Sequence, residues 1–113
     1  MFWIGAAKCS LRLPYAGSLK ERRHVVRSLL DGVRSRFSIS AADLGPADVW
    51  QNADLGFTAA SSSSSELDER LGNLENFLSQ REEDGDFEIV DFTREVFAYG
   101  DISDRQEIGR AHV

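Results

Sequence analysis

Cysteine is nearly missing from this chain. Cys9 stands alone among 113 residues, so no disulfide can form within it, and a cytoplasmic protein is the default expectation. No apolar run approaches the roughly 20 residues of a membrane-spanning helix, and no signal-peptide pattern opens the sequence. The two histidines, His24 and His112, have no zinc spacing with Cys9, so neither a metal nor another cofactor is expected. Phosphate-binding glycine loops and paired catalytic carboxylates are also missing. The connection Leu13-Pro14-Tyr15-Ala16-Gly17-Ser18 has no arginine, which excludes the anion loop of an acylphosphatase. The expectation is therefore a protein with no catalytic residues and no enzymatic activity. Basic residues are scarce after Arg36. Residues 1–36 hold eight Lys or Arg against Glu21 and Asp31, a balance of +6. Residues 37–113 hold five against seventeen acidic residues, a balance of −12, which gives the net −6 of the whole. Such a chain is a poor general nucleic-acid binder, and any polyanion must meet a local basic face.

What is present is a hydrophobic content of 42%, enough for one folded domain with a modest core. Ser18 to Phe37 reads as an amphipathic helix. Ser18 and Glu21 have capping-box spacing, and Leu19, Val26, Leu29, Leu30, Val33 and Phe37 fall on one face. Lys20, Arg23, Arg27 and Arg34 fall on another, with His24 at its edge. Asp31 lies in the same stripe, within reach of Arg27 and Arg34, and is expected to neutralise part of it. The bland reading of this stripe is a solvated helix face.

The remaining elements are read in order. Phe2–Leu13 alternates as a strand, with Ala7, Cys9, Leu11 and Leu13 on one face and Lys8, Ser10 and Arg12 on the other. Cys9 on the apolar face reads as a buried structural thiol. Ser38–Leu44 is a weak second strand ended by Gly45-Pro46, and Ala53–Ser61 is a third. The five serines Ser61–Ser65 lead into a second helix, since Ser63 and Glu66 repeat the capping spacing and Leu67, Leu71, Leu74 and Leu78 follow at helical intervals. Its outer face is acidic or neutral, with Asp68, Glu69 and Glu75. Glu82 to Asp86 is an acidic turn without calcium-loop spacing. Phe87–Phe97 is a fourth strand whose inward face is ambiguous, because Phe87 and Ile89 alternate against Val90 and Phe92. The expected organisation is one domain over residues 1–98 and a polar C-terminal tail over 99–113.

The order β-α-β-β-α-β implies an α+β, ferredoxin-like plan: a four-stranded antiparallel sheet with two helices on one face and the first and third strands central. The open face would carry Lys8, Ser10, Arg12, Asp54 and Thr58, without the stacked aromatics of an RNA-recognition sheet. The basic helix is then the better candidate for RNA.

Three segments, Leu11-Arg12-Leu13-Pro14, Ser18-Leu19-Lys20-Glu21-Arg22-Arg23 and Asp48-Val49-Trp50-Gln51, together resemble the small bacterial family of YlxP-like proteins over about the first eighty to one hundred residues. The chain departs from that pattern at Asn52, Asp43, Pro46-Ala47 and the serine run. The resemblance implies a ferredoxin-like fold. It also implies a ribosome- or RNA-associated role, because genes of such proteins are often found beside those for translation initiation and ribosome maturation.

Two function classes follow. The first is a non-enzymatic accessory protein that binds ribosomal RNA or a ribosomal subunit through Lys20, Arg22, Arg23, Arg27 and Arg34; four phosphate contacts there give a slope of about −3 to −4 in log K against log salt. The second is a protein-interaction or self-association module, such as a homodimer, that uses the sheet edge, the open sheet face and the loop carrying Asp48, Trp50 and Gln51. Trp50 is either a stacking platform for a base or a hairpin tryptophan, with partial burial expected.

Overall fold

The computed structural model describes residues 1–100. The alternating stretch Phe2–Arg12 forms strand β1, the capped stretch Leu19–Arg36 forms helix α1, and Ser40–Gly45 and Asn52–Ser61 form β2 and β3. Helix α2 spans Ser64–Glu83, and β4 spans Glu88–Tyr99. The strands lie in one antiparallel sheet in the order β2-β3-β1-β4, so β1 and β3 are central. Both helices pack on the same face. This is the ferredoxin-like α+β fold that the alternation and helical spacing imply.

Each helix starts where its cap dictates. The Ser18 hydroxyl accepts from the Glu21 backbone N–H at 3.1 Å, and the Ser63 hydroxyl accepts from the Glu66 N–H at 3.2 Å. One otherwise orphaned donor is satisfied at each helix start, typically about 1 kcal/mol per cap. The Glu66 carboxylate does not close a full capping box. It pairs with Arg70 one turn on, and that contact holds its pKa below the ordinary carboxylate value, with a hydrogen bond from Ser61 adding to the effect.

The core lies between the helices and one sheet face. Cys9, Leu55, Leu71, Leu74, Leu78 and Val33 are fully inaccessible to solvent, and burying each leucine contributes about 1.5–3 kcal/mol. Cys9 sits in this core as expected. Burial, reinforced by the surrounding carboxylates of Glu82, Asp91, Glu75 and Asp54, pushes its pKa up to about 12, so the thiol stays protonated and unreactive.

Two expectations about β4 are corrected. Its inward face is ambiguous in sequence because the strand carries a bulge: Ser10 pairs with Asp91 and Leu11 with Ile89, leaving Val90 as the extra residue. One additional residue shifts the alternation, so Ile89, Phe92 and Val96 all pack against the core while Val90 is exposed. The strand also runs past the expected boundary at 98. Tyr99 pairs with Phe2 on β1, and their rings lie 5.2 Å apart, so Tyr99 belongs to the domain and not to a tail. The rest of the expected tail, 101–113, lies outside the described residues.

Candidate nucleic-acid interface

The five cations expected to bind RNA do not act as one set. Helical spacing decides their fates. Arg22 stands four residues before Val26 and seven before Leu29, which puts it on the buried stripe of α1. It is 4% exposed. Its guanidinium donates to both carboxylate oxygens of Asp43 on β2, at 2.8 and 3.1 Å, and its Nε donates to the carbonyl of Asn52 on β3 at 2.9 Å. Arg22 is therefore a clamp between the start of α1 and the β2–β3 hairpin, not part of an RNA-facing surface. The hydrogen bonds from Arg22 are the main reason the Asp43 carboxyl titrates below its ordinary range. Partial burial opposes the shift, and the Gly45 N–H, donating at 2.9 Å, assists it. Gly45 has a φ of +97°, a conformation that favours glycine and turns the chain at this point.

Arg34 is also engaged. It donates to the Ala41 carbonyl at 2.6 Å and lies 3.5 Å from Asp31, so the neutralisation expected from Asp31 falls on Arg34. Lys20, Arg23 and Arg27 remain. All three are exposed, and they follow one another at i, i+3 and i+7 along a single face of α1.

Every other lysine or arginine among the described residues has a partner. Lys8 pairs with Asp54, Arg12 with Glu88, Arg22 with Asp43, Arg34 with Asp31, Arg70 with Glu66 and Arg94 with Asp68. Arg36 and Arg81 stack over the Phe77 ring at 5.1 and 5.4 Å. Among the described residues, the cations with neither a carboxylate nor a ring partner are Lys20, Arg23 and Arg27, all on one helix face.

Beside that face runs a groove of about 560 Å³, lined by Tyr15, Lys20, Glu21, His24, Val25 and Asp86 among others. It lies between the β1–α1 loop, one flank of α1 and the α2–β4 turn. Sequence reasoning did not find it, because Asp86 reaches the stretch Tyr15–Val25 only through the fold. In the last turn of α2, Glu82 accepts from the Ile89 N–H at 2.6 Å and fixes the start of β4. No group of three or more His, Cys, Asp or Glu side chains suited to a metal ion occurs among the described residues.

The loop carrying Asp48, Trp50 and Gln51 stands at the far end of the β2–β3 hairpin. All three residues are exposed, and Trp50 keeps 48% of its surface, so its burial is only partial. The Gln51 carbonyl accepts from the Leu13 N–H at 2.8 Å, tying the loop to the end of β1. The open sheet face carries more than the expected polar residues. Strand register puts Phe2, Ile4, Phe97 and Tyr99 together at one end of it, and the three aromatics are each about 40% exposed. The opposite end is charged, with Lys8–Asp54 and Arg12–Glu88 pairs.

Comparison with known proteins places these features in context. Residues 4–94 match the family described as "Protein of unknown function (DUF503)". The chain is similar to "Uncharacterized protein YlxP" of Bacillus subtilis (strain 168), with 36% identity over 75 residues, which covers 66% of this chain and 82% of that relative. No helix among the described residues is long and apolar enough to cross a membrane.

Proposed function

The chain belongs to the family described as "Protein of unknown function (DUF503)", and from the surface its fold presents we propose that it is a non-enzymatic, cytoplasmic accessory protein that docks on RNA phosphates, those of ribosomal RNA or a ribosomal subunit. The observation that carries this reading is the selective pairing of cations. Ion pairs and ring contacts occupy the others, while Lys20, Arg23 and Arg27 on α1 are exposed and form no ion pair. A phosphate backbone is a row of negative charges that such a row of cations can follow. The acidic outer face of α2 would repel the same backbone, so the acidic net charge gives the contact an orientation without forbidding it.

Three phosphate contacts give a slope of about −2 on single strands and −3 on duplex RNA in log K against log salt. A fourfold rise in salt then weakens binding about 20- to 40-fold. The test is fluorescence anisotropy with ribosomal RNA fragments across a salt series. A Lys20→Ala, Arg23→Ala, Arg27→Ala protein should bind every fragment more weakly and lose most of the slope. Binding that ignores both salt and these three substitutions would remove the reading.

A second reading, self-association through the open face, is favoured by one observation: the cluster of Phe2, Ile4, Phe97 and Tyr99, a partly exposed apolar patch with no covering layer among the described residues. Light scattering across concentrations measures it. Under this reading the mass doubles with concentration and Phe97→Asp keeps the protein monomeric; a wild-type mass that stays monomeric throughout excludes it.

A further inference from the structure

The groove beside α1 has a composition that a phosphate track alone does not explain. Its lining combines one aromatic residue, Tyr15, with Lys20 and His24 of α1, the apolar Val25, and two acidic residues, Glu21 and Asp86. Its volume of about 560 Å³ falls within the roughly 300–1,000 Å³ of small-molecule sites. Tyr15 is 78% exposed, so its ring contributes little to the core and is available for stacking. Two acidic residues in the lining disfavour a phosphate in the groove itself. A nucleobase fits better. It has a flat face for Tyr15 and an edge with N–H donors for a carboxylate, while its own phosphate stays outside on Lys20.

We propose that this groove holds one unstacked base of a single-stranded RNA whose phosphates follow Lys20, Arg23 and Arg27; this rests on the RNA-docking reading above and extends it. Tyr15 stacks on the base, and Asp86 accepts hydrogen bonds from its Watson–Crick edge. Guanine is the best match, because its edge presents two adjacent donors, N1–H and the N2 amino group, which a carboxylate receives as a pair. A base-paired duplex cannot enter, since its bases are stacked and their edges are already bonded. The phosphate track therefore accepts either form of RNA, while the groove selects single strands with a suitably placed guanine. Lys20 belongs to both the track and the groove, and so couples them.

The experiment uses the full chain and labelled RNAs of about eight nucleotides, a length within the site sizes of single-strand binders. One is a uridine-rich strand with a central guanine, one has adenine in its place, and one is the guanine strand annealed to its complement. Anisotropy is measured at constant salt. Tyr15→Ala should weaken single-strand binding roughly 5- to 160-fold, the range for loss of one stacked base, and leave duplex binding unchanged. Tyr15→Phe should bind as wild type, because stacking needs the ring and not the hydroxyl. Asp86→Asn should remove the preference for guanine over adenine. Melting followed by circular dichroism checks that these surface variants fold. Equal single-strand binding by Tyr15→Ala and wild type, or equal losses on single strand and duplex, overturns the base site. If the Lys20→Ala, Arg23→Ala, Arg27→Ala protein still loses affinity for all three RNAs, the phosphate track survives that failure. If the wild-type protein binds none of them, both ideas fall.

Discussion

Asparagine in place of Asp43 should destabilise the protein by about 2–3 kcal/mol, far more than any change at the neighbouring Arg23. The Arg22 side chain is 5% exposed and its guanidinium faces the Asp43 carboxylate in a two-pronged contact. Removing one partner of a buried pair typically costs about 3–5 kcal/mol, because the remaining charge has left water without compensation. Asp43 keeps 35% of its side-chain surface, so water reaches the site and reduces that figure. The melting temperature should fall by roughly 10–20 °C, at about 4–8 °C per kcal/mol for a domain of this size. Arg23→Ala, one residue away but on the exposed face, should stay within about 0.5 kcal/mol of wild type. The pH dependence has a definite sign. The Asp43 pKa is lowered in the folded protein from the ordinary value of 3.8, so the contact contributes fully above that value. Its contribution is lost as pH falls through the depressed folded pKa. Acid denaturation of wild type should therefore include a component below about pH 4 that Asp43→Asn lacks. A variant that melts within a degree or two of wild type would show that Arg22 needs no carboxylate there.

This contact also marks the limit of what the sequence made legible. Arg22 lies four, seven and eleven residues before Val26, Leu29 and Val33, so the helical period alone assigns it to the buried stripe. Grouping it with the exposed cations followed its charge and ignored its phase. Its partner had no comparable signal. Asp43 meets Arg22 only because β2 pairs with β3 in a particular register, with a shift between Asp43 and Gly45. A non-local register of this kind cannot be counted along the chain. The same limit explains half of the open face. The bulge at Val90 reverses the alternation of β4 and brings Phe97 and Tyr99 to that face, whereas Phe2 and Ile4 stand in phase with Lys8, Ser10 and Arg12 on the central strand β1 and are legible from its alternation alone. The element order, both helix caps and the central placement of β1 and β3 were legible because they depend on local period, local capping and a chirality rule. The groove was not, since Asp86 is far in sequence from the stretch Tyr15–Val25 that supplies the rest of its lining.

The basic face is only as well placed as α1 itself, and Phe77 holds that helix against α2. The Phe77 ring is 8% exposed. It meets Phe37 edge-on at 5.8 Å, and the Arg36 and Arg81 guanidiniums stack over it from α1 and α2. Gly32 is the α1 residue that makes this approach possible, since a Cβ there would stand 3.0 Å from the ring's Cζ. Phe77→Ala therefore opens a cavity at the helix–helix seam and removes the ring over which two arginines stack. The expected loss is about 3–5 kcal/mol, a large share of the roughly 5–15 kcal/mol that keeps a domain folded. Phe77→Leu should recover most of the apolar burial but neither ring contact, and should fall between the two. Urea unfolding at constant temperature measures the series. If packing dominates, the leucine variant lies near wild type; if the cation–π contacts dominate, it lies near alanine, at about 0.5–2 kcal/mol per lost contact. A Phe77→Ala protein as stable as wild type would mean that the seam closes without the ring, and that α1 is held by the Arg22 clamp and the sheet alone.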